Sequence, residues 1–292
     1  MDVKNDLYAV LLRGKTTEEC IEEMVSHGVE RHYYEYVKEV KPLLYEEIKK
    51  CIEKQKEINY FKLAEVKNLS DSFFKHKIQL VHLKGITLAY DLYPDNPDIR
   101  KSNDIDVLIA AEESERALNL LGEMGYYVRD TKEKVSAEIN KKYYKNVIDR
   151  GIHYPEFEKI VTLNSKAMVL KMDCHLSISH SMDDKVKKMK QIISRCVAQK
   201  IDNSNVMVLE IHDRLIYLAL HFTKEFLRNY VRWGIIGSRR VDENKGINFA
   251  HLYDIALLIE KYSKQIRWTT IWERALELNS LDEVIFTVKC LK

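Results

Sequence analysis

Leu83 to Ile109 reads LKGITLAYDLYPDNPDIRKSNDIDVLI, and the reading of this stretch decides the fold. An apolar segment, Ile78–Leu83, runs into a Lys84-Gly85 turn. The pattern after it predicts a helix over Gly85–Leu92, a loop around Pro94–Pro97, and a strand carrying an Asp-x-Asp pair. Residues two apart on a strand share a face, so Asp104 and Asp106 are expected on one side. Ile105, Val107 and Ile109 then point into the core from the other. Two carboxylates beside a glycine turn suit a hard divalent cation, which takes oxygen ligands and bridges to phosphate.

A second strand is predicted over Ala167–His175 (AMVLKMDCH). Met168, Leu170, Met172 and Cys174 form its apolar set, and Lys171, Asp173 and His175 lie on the opposite face. A carboxylate in the middle of such a strand needs a partner, because an unpaired buried charge is costly. A cation shared with Asp104 and Asp106 would be that partner. His175 shares the face and reads first as a satisfied structural histidine. His212 and His221, on a later helix, read the same way.

The ordered combination KG-x-x-LA-x-x-LYPD, R-x-SNDIDVLI and a later Asp-x-His strand resembles the uncharacterised nucleotidyltransferases of the DNA polymerase β-like superfamily. The resemblance extends over roughly residues 40 to 285. HDRLIYLALHFTKE, FAHLYDIALLIE and RWTTIWERALELN are similar to that family's C-terminal helices in type and order. It implies an α+β fold in which a small mixed β-sheet is flanked by N-terminal and C-terminal helical regions. Expected boundaries are a helical region over 1–76, a catalytic core over 77–210 and a second helical region over 211–292.

The resemblance further implies transfer of a nucleoside monophosphate from a nucleoside triphosphate such as ATP to an acceptor, with release of pyrophosphate. Asp104, Asp106 and Asp173 would be the catalytic and metal-binding carboxylates, holding two Mg²⁺ ions, with Mn²⁺ as the alternative. Lys84, Gly85, Thr87, Arg100 and Ser102 would bind the nucleotide. Lys84 would act as a point charge on the triphosphate, facing the carboxylates across a gap wide enough for it. Many superfamily members carry Gly-Ser in the first turn. Here the turn is Lys84-Gly85-Ile86, and the nearest hydroxyl is Thr87. That departure keeps a second reading in view, a non-catalytic nucleotide-binding or regulatory module on the same fold. A small molecule, a protein side chain and an RNA end all stand as acceptors. Mutual repulsion among three carboxylates predicts that Asp106→Asn leaves stability unchanged or slightly raised.

The rest of the chain bounds these expectations. Hydrophobic residues are 46% and charged residues 32%, a composition for a globular protein. Nine Gly and four Pro argue against a loop-rich all-β fold. A formal net charge of +2 gives no pull toward long DNA. Five scattered cysteines, none in C-x-x-C spacing, indicate neither a zinc site nor a disulfide framework. With no signal-peptide pattern and no apolar run of ~18–20 residues, the expected compartment is the cytoplasm, with no membrane partner.

Thr16–Glu19 is expected to open a helix. Pro42 opens a longer one, with Leu44, Ile48, Cys51 and Ile52 at helical spacing. A helix is predicted over Ala111–Met124, ended by Gly125, then a short strand over Tyr126–Arg129. Residues 131–150, rich in Lys with Tyr143 and Tyr144, read as an exposed amphipathic helix. Strands are predicted over His153–Phe157 and Lys159–Leu163, a helix from about Asp183, and a loop over Gly234–Gly246. From His212 onward Leu215, Leu218, Phe222 and Phe226 form one helical stripe.

Overall fold

The computed structural model describes residues 16, 19, 24, 29–34, 37–38, 41–139, 154–179, 185–236 and 249–291, with side chains except over 185–186 and 229–236. Two compact units are present, Gln55–Arg214 and Met1–Lys54 with Leu215–Lys292.

The first unit is built on a seven-stranded mixed sheet. Its strands are β1 (Leu80–His82), β2 (Ile105–Ile109), β3 (Tyr127–Val128), β4 (Phe157–Leu163), β5 (Lys166–His175), β6 (Val197–Ile201) and β7 (Ser204–Val208). They lie side by side in the order β3-β4-β5-β2-β1-β7-β6. β2 pairs antiparallel with β1 and parallel with β5, so it is central, and all five of its residues are buried. The pleat sorts its side chains as the sequence requires. Ile105, Val107 and Ile109 join Leu170, Met172 and Cys174 of β5 in one apolar cluster. Phe61, Val66, Leu69 and Phe73 of helix α1 (Pro42–Lys75) complete it, together with Ala117, Leu118, Leu120 and Leu121 of α3 (Ser114–Glu123). Between β1 and β2 in the chain stands the short helix α2 (Ile86–Leu92), and between β5 and β6 stands α4 (Lys185–Arg195). Gly125 takes φ 90° after α3, the left-handed conformation that glycine adopts at a helix end.

In place of the strands predicted over 153–157 and 159–163 there is one, β4, which starts only at Phe157; residues 154–156 are not strand. Its residues pair one for one with β5 from Phe157↔Met172 to Leu163↔Lys166. The Asn164-Ser165 turn, with both residues at positive φ, closes the hairpin. The β6–β7 hairpin, with Asp202 at φ 50°, was not expected. The Gln79 N–H donates to Glu113 Oε2 at 2.9 Å, tying the entry of β1 to the start of α3.

The second unit holds residues 42–54 of α1, most of α5 (Ile211–Ile236), α6 (Phe249–Lys261), α7 (Trp268–Glu277) and α8 (Leu281–Cys290). Leu215, Leu218 and Phe222 of the predicted stripe are buried, and the Phe222 and Phe226 rings both meet Phe286 of α8. Ile48 is buried with Met24, Val29, Tyr33 and Val37, whereas Cys51 faces solvent. Thr16 and Glu19 exchange the reciprocal bonds of a capping box, Thr16 N–H to Glu19 Oε2 at 2.7 Å and Glu19 N–H to Thr16 Oγ1 at 3.4 Å. Of the other expectations, residues 140–150 with Tyr143 and Tyr144, residues 151–153, Asp183–Asp184 and 237–246 lie outside the described residues. Among the described residues no helix is long and apolar enough to cross a membrane.

Candidate active site

Strand pairing assembles the site. Asp106 of β2 and Asp173 of β5 are direct Cα partners across a parallel ladder, and His175 follows opposite Leu108. The alternation that sends Val107 and Cys174 into the core turns Asp106, Asp173 and His175 to the other face. One donor atom from each of these three lies within 4.8 Å of the others. His175 Nε2 stands 3.6 Å from Asp106 Oδ1. Asp104 precedes the first residue of β2 and is partly exposed. It reaches the group through Lys84, whose Nζ is 3.6 Å from Asp104 Oδ1.

Lys84 itself donates to Asp106 Oδ2 at 2.6 Å. The gap expected between ammonium and carboxylate is therefore closed. Two carboxylates lie within reach of one flexible amine, and direct pairing is the favourable arrangement for charges held out of water.

Gly85 makes the turn work. Its φ of 74° and ψ of −127° belong to the region open to glycine and closed to other residues. A Cβ there would stand 3.1 Å from Ser102 Oγ and 3.2 Å from the Asp104 carbonyl oxygen. The remaining expected nucleotide ligands brace this turn. Arg100, buried, donates from Nη1 to the Gly85 carbonyl at 3.2 Å. The Thr87 hydroxyl donates to the Lys84 carbonyl at 3.2 Å. Ser102 Oγ donates to the Asp104 carbonyl at 3.3 Å.

Helix α1 supplies groups that the sequence reading passed over. Gln55, Asn59 and Lys62, all buried, line one face at i, i+4 and i+7. Lys62 Nζ donates to the Ser102 carbonyl at 2.6 Å and to Ser102 Oγ at 3.2 Å. Gln55 Nε2 also reaches the Ser102 carbonyl, at 3.2 Å, and Asn59 Nδ2 donates to Asp98 Oδ1 at 2.8 Å. The signal for them was present: a polar stripe at helical spacing in a helix that otherwise turns an apolar face to the sheet. From β6, Gln199 Nε2 donates to the Thr87 carbonyl at 3.3 Å, and Gln199 is itself held by Arg214 at 2.6 Å.

Charge in the site is uneven. Burial would push the Asp106 carboxyl up, but Lys84 and then His175 outweigh it and hold Asp106 well below the usual carboxylate range. Burial and the neighbouring Asp106 raise both Asp104 and Asp173. Burial also depresses Lys84, and Asp106 and Asp104 more than restore it, so its amine stays protonated. Lys62 is lowered by burial to about 8, with Asp104 and Asp106 opposing that fall. Asp106 is thus paired with Lys84, while the ionised forms of Asp104 and Asp173 are penalised by burial and by Asp106.

The donor set fits a divalent cation. Carboxylate oxygens and one imidazole converge, and a bound cation would favour the ionised forms of Asp104 and Asp173 that burial and Asp106 penalise.

A solved structure, an antigenic nucleotidyltransferase-like protein from Paracoccidioides brasiliensis, is similar at 11% identity and a TM-score of 0.38. The match covers 77% of this chain and 91% of that one. No curated protein matches the chain. The sequence profile of a family described as uncharacterised nucleotidyltransferase matches residues 16–292, nearly the whole chain, and the protein belongs to that family.

Proposed function

We propose that the protein is a divalent-metal-dependent nucleotidyltransferase that moves a nucleoside monophosphate from a nucleoside triphosphate to an acceptor. One observation carries the reading: Asp106 and Asp173 are paired in register on adjacent parallel strands, with the Lys84 ammonium between Asp106 and Asp104. Asp104, Asp106 and Asp173 would hold Mg²⁺, with His175 beside them. When bound, Mg²⁺ would offset the charge of the phosphates and lower the pKa of an attacking hydroxyl.

The chain's own groups have separable tasks. Lys84 places a mobile positive charge beside the carboxylates and can swing to the β- and γ-phosphates as the leaving group gains charge. Gly85, lacking a Cβ, lets a phosphate approach the backbone of the turn. Arg100, Ser102 and Lys62 hold that turn rigid from behind, and such positioning is most of what phosphoryl transfer requires. A new P–O bond forms between the acceptor oxygen and the α-phosphorus, and the α–β bridge breaks. Pyrophosphate departs and the acceptor's proton passes to solvent.

A second reading draws on the closed Lys84–Asp106 pair. A site already neutralised from within could bind nucleotide without turning it over. Incubation with each labelled nucleoside triphosphate, Mg²⁺ and fractionated cell extract separates the two. The proposal expects pyrophosphate release and label in one fraction, lost in Asp106→Asn. Nucleotide binding without pyrophosphate release in any fraction would instead establish the non-catalytic reading. Whether the labelled fraction holds small molecules, protein or RNA identifies the acceptor class.

A further inference from the structure

A second group of metal-ligating side chains lies in the other unit and has no part in the proposed reaction. His221 and Glu225 are one turn apart on α5, and residues at i and i+4 share a helix face. His251 comes from the first turn of α6. One donor atom from each lies within 4.8 Å of the other two. His251 Nδ1 stands 3.1 Å from Glu225 Oε2, and the His221 and His251 rings meet edge to face at 4.8 Å between centroids. All three side chains are half-buried. His251 Nδ1 is closed off from solvent and, despite that short distance, has no aligned hydrogen-bond partner among the described residues. The other carboxylate oxygen, Oε1, is held by Arg228 Nη2 at 3.3 Å, which leaves Oε2 turned toward the imidazole.

We propose that His221, Glu225 and His251 form a binding site for a divalent first-row transition metal, Zn²⁺ foremost, that links α5 to α6. Two imidazoles and one carboxylate are a donor set that zinc accepts, with a water in the fourth position. In a tetrahedral zinc site with bonds of ~2.0–2.1 Å the ligand atoms stand about 3.4 Å apart. The His251–Glu225 separation is already near that value, and the His221 donor atom lies within 4.8 Å of both. Metal entry displaces any proton held between imidazole and carboxylate, and that proton leaves to solvent. Donor chemistry separates this site from the one on the sheet. Nitrogen-rich ligands select zinc, cobalt or nickel, whereas the sheet carboxylates suit magnesium.

The test uses the full chain, stripped with a chelator and returned to buffer with millimolar Mg²⁺ to occupy the sheet carboxylates. Zn²⁺ is titrated against a chromophoric competitor, and bound metal is counted after gel filtration. One equivalent of zinc is expected in the wild type and in Asp106→Asn. Affinity should fall by more than about tenfold in His251→Gln and in Glu225→Gln, since even outer-shell losses cost ~10–100-fold. Co²⁺ in the wild type should give intense visible d–d bands, a readout that stands if a variant fails to fold. Absence of stoichiometric zinc, weak octahedral-type cobalt absorption, or unchanged zinc affinity in both variants would each overturn the site.

Discussion

Lys84 Nζ lies 2.6 Å from Asp106 Oδ2, and Asp106 is the most deeply buried of the site's carboxylates. This pair reverses the stability effect expected from charge clustering alone. Repulsion among three carboxylates would make Asp106→Asn neutral or stabilising. Asp106, however, is held well below the usual carboxylate range by Lys84, and a depressed folded-state pKa is stabilising at neutral pH. Its contribution is present above the unfolded-state value of ~3.9 and is lost as pH falls through the folded value.

Asp106→Asn is therefore expected to abolish pyrophosphate release and to destabilise the metal-free protein by on the order of 2 kcal/mol. That is less than the ~3–5 kcal/mol typical of a broken buried pair, because Asp104 remains within 3.6 Å of the amine. Urea denaturation at pH 7 measures it. A variant as stable as the wild type would mean that the Lys84–Asp106 pair contributes nothing.

Asp173→Asn should behave differently. Burial and Asp106 raise the Asp173 carboxyl, so its ionised form is penalised in the folded state and neutralising it should be stabilising in the absence of metal. In Mg²⁺ with nucleotide the order reverses: the wild type gains ~2.7 kcal/mol at a hundredfold excess over Kd, and the variant gains less. Thermal melts with and without Mg²⁺-nucleotide read both signs. Equal ligand stabilisation in the two proteins would remove Asp173 from the metal site.

Lys62 supplies a pH signature. Burial lowers its pKa to about 8, against ~10.4 in the unfolded chain. Below pH 8 both states are protonated and the whole penalty of burying the charge is present. As pH rises from about 8 toward 10.5, the folded state releases its proton first and stability rises, approaching ~1.4 kcal/mol per pH unit. Lys62→Met should lack that rise, so the stability difference between wild type and variant, followed across pH 7–10, should drift in favour of the wild type. A constant difference would mean that Lys62 titrates normally.

Gly85→Ala should cost ~1–3 kcal/mol, the range for a non-glycine residue forced into a sparsely populated backbone region. The new methyl also stands 3.2 Å from the Asp104 carbonyl oxygen, backbone that cannot easily yield. Nucleotide affinity should fall with it, since the turn and β2 are pushed apart. Equilibrium unfolding together with nucleotide titration checks both; unchanged values would mean that the turn can adopt another conformation.

Local pattern alone determined much of this. The alternation in IDVLI and in MVLKMDCH put Asp106, Asp173 and His175 on the polar face of their strands, because a pleated strand leaves no other choice once one face is buried. The glycine turn, α2 and α3 were equally legible. The β6–β7 hairpin was signalled only by Asp202-Asn203, since Val197 and Ala198 at its edge are exposed and its strands carry little hydrophobic alternation. Partners were not legible at all. Strand order makes β5 rather than another strand the neighbour of β2, and so makes Asp173 the partner of Asp106. Likewise the Lys62–Ser102 contact spans 40 residues, and His251 meets Glu225 only because α6 returns beside α5. Periodicity fixes which way a side chain points from its own element; only the packing of elements distant in sequence decides what it meets there.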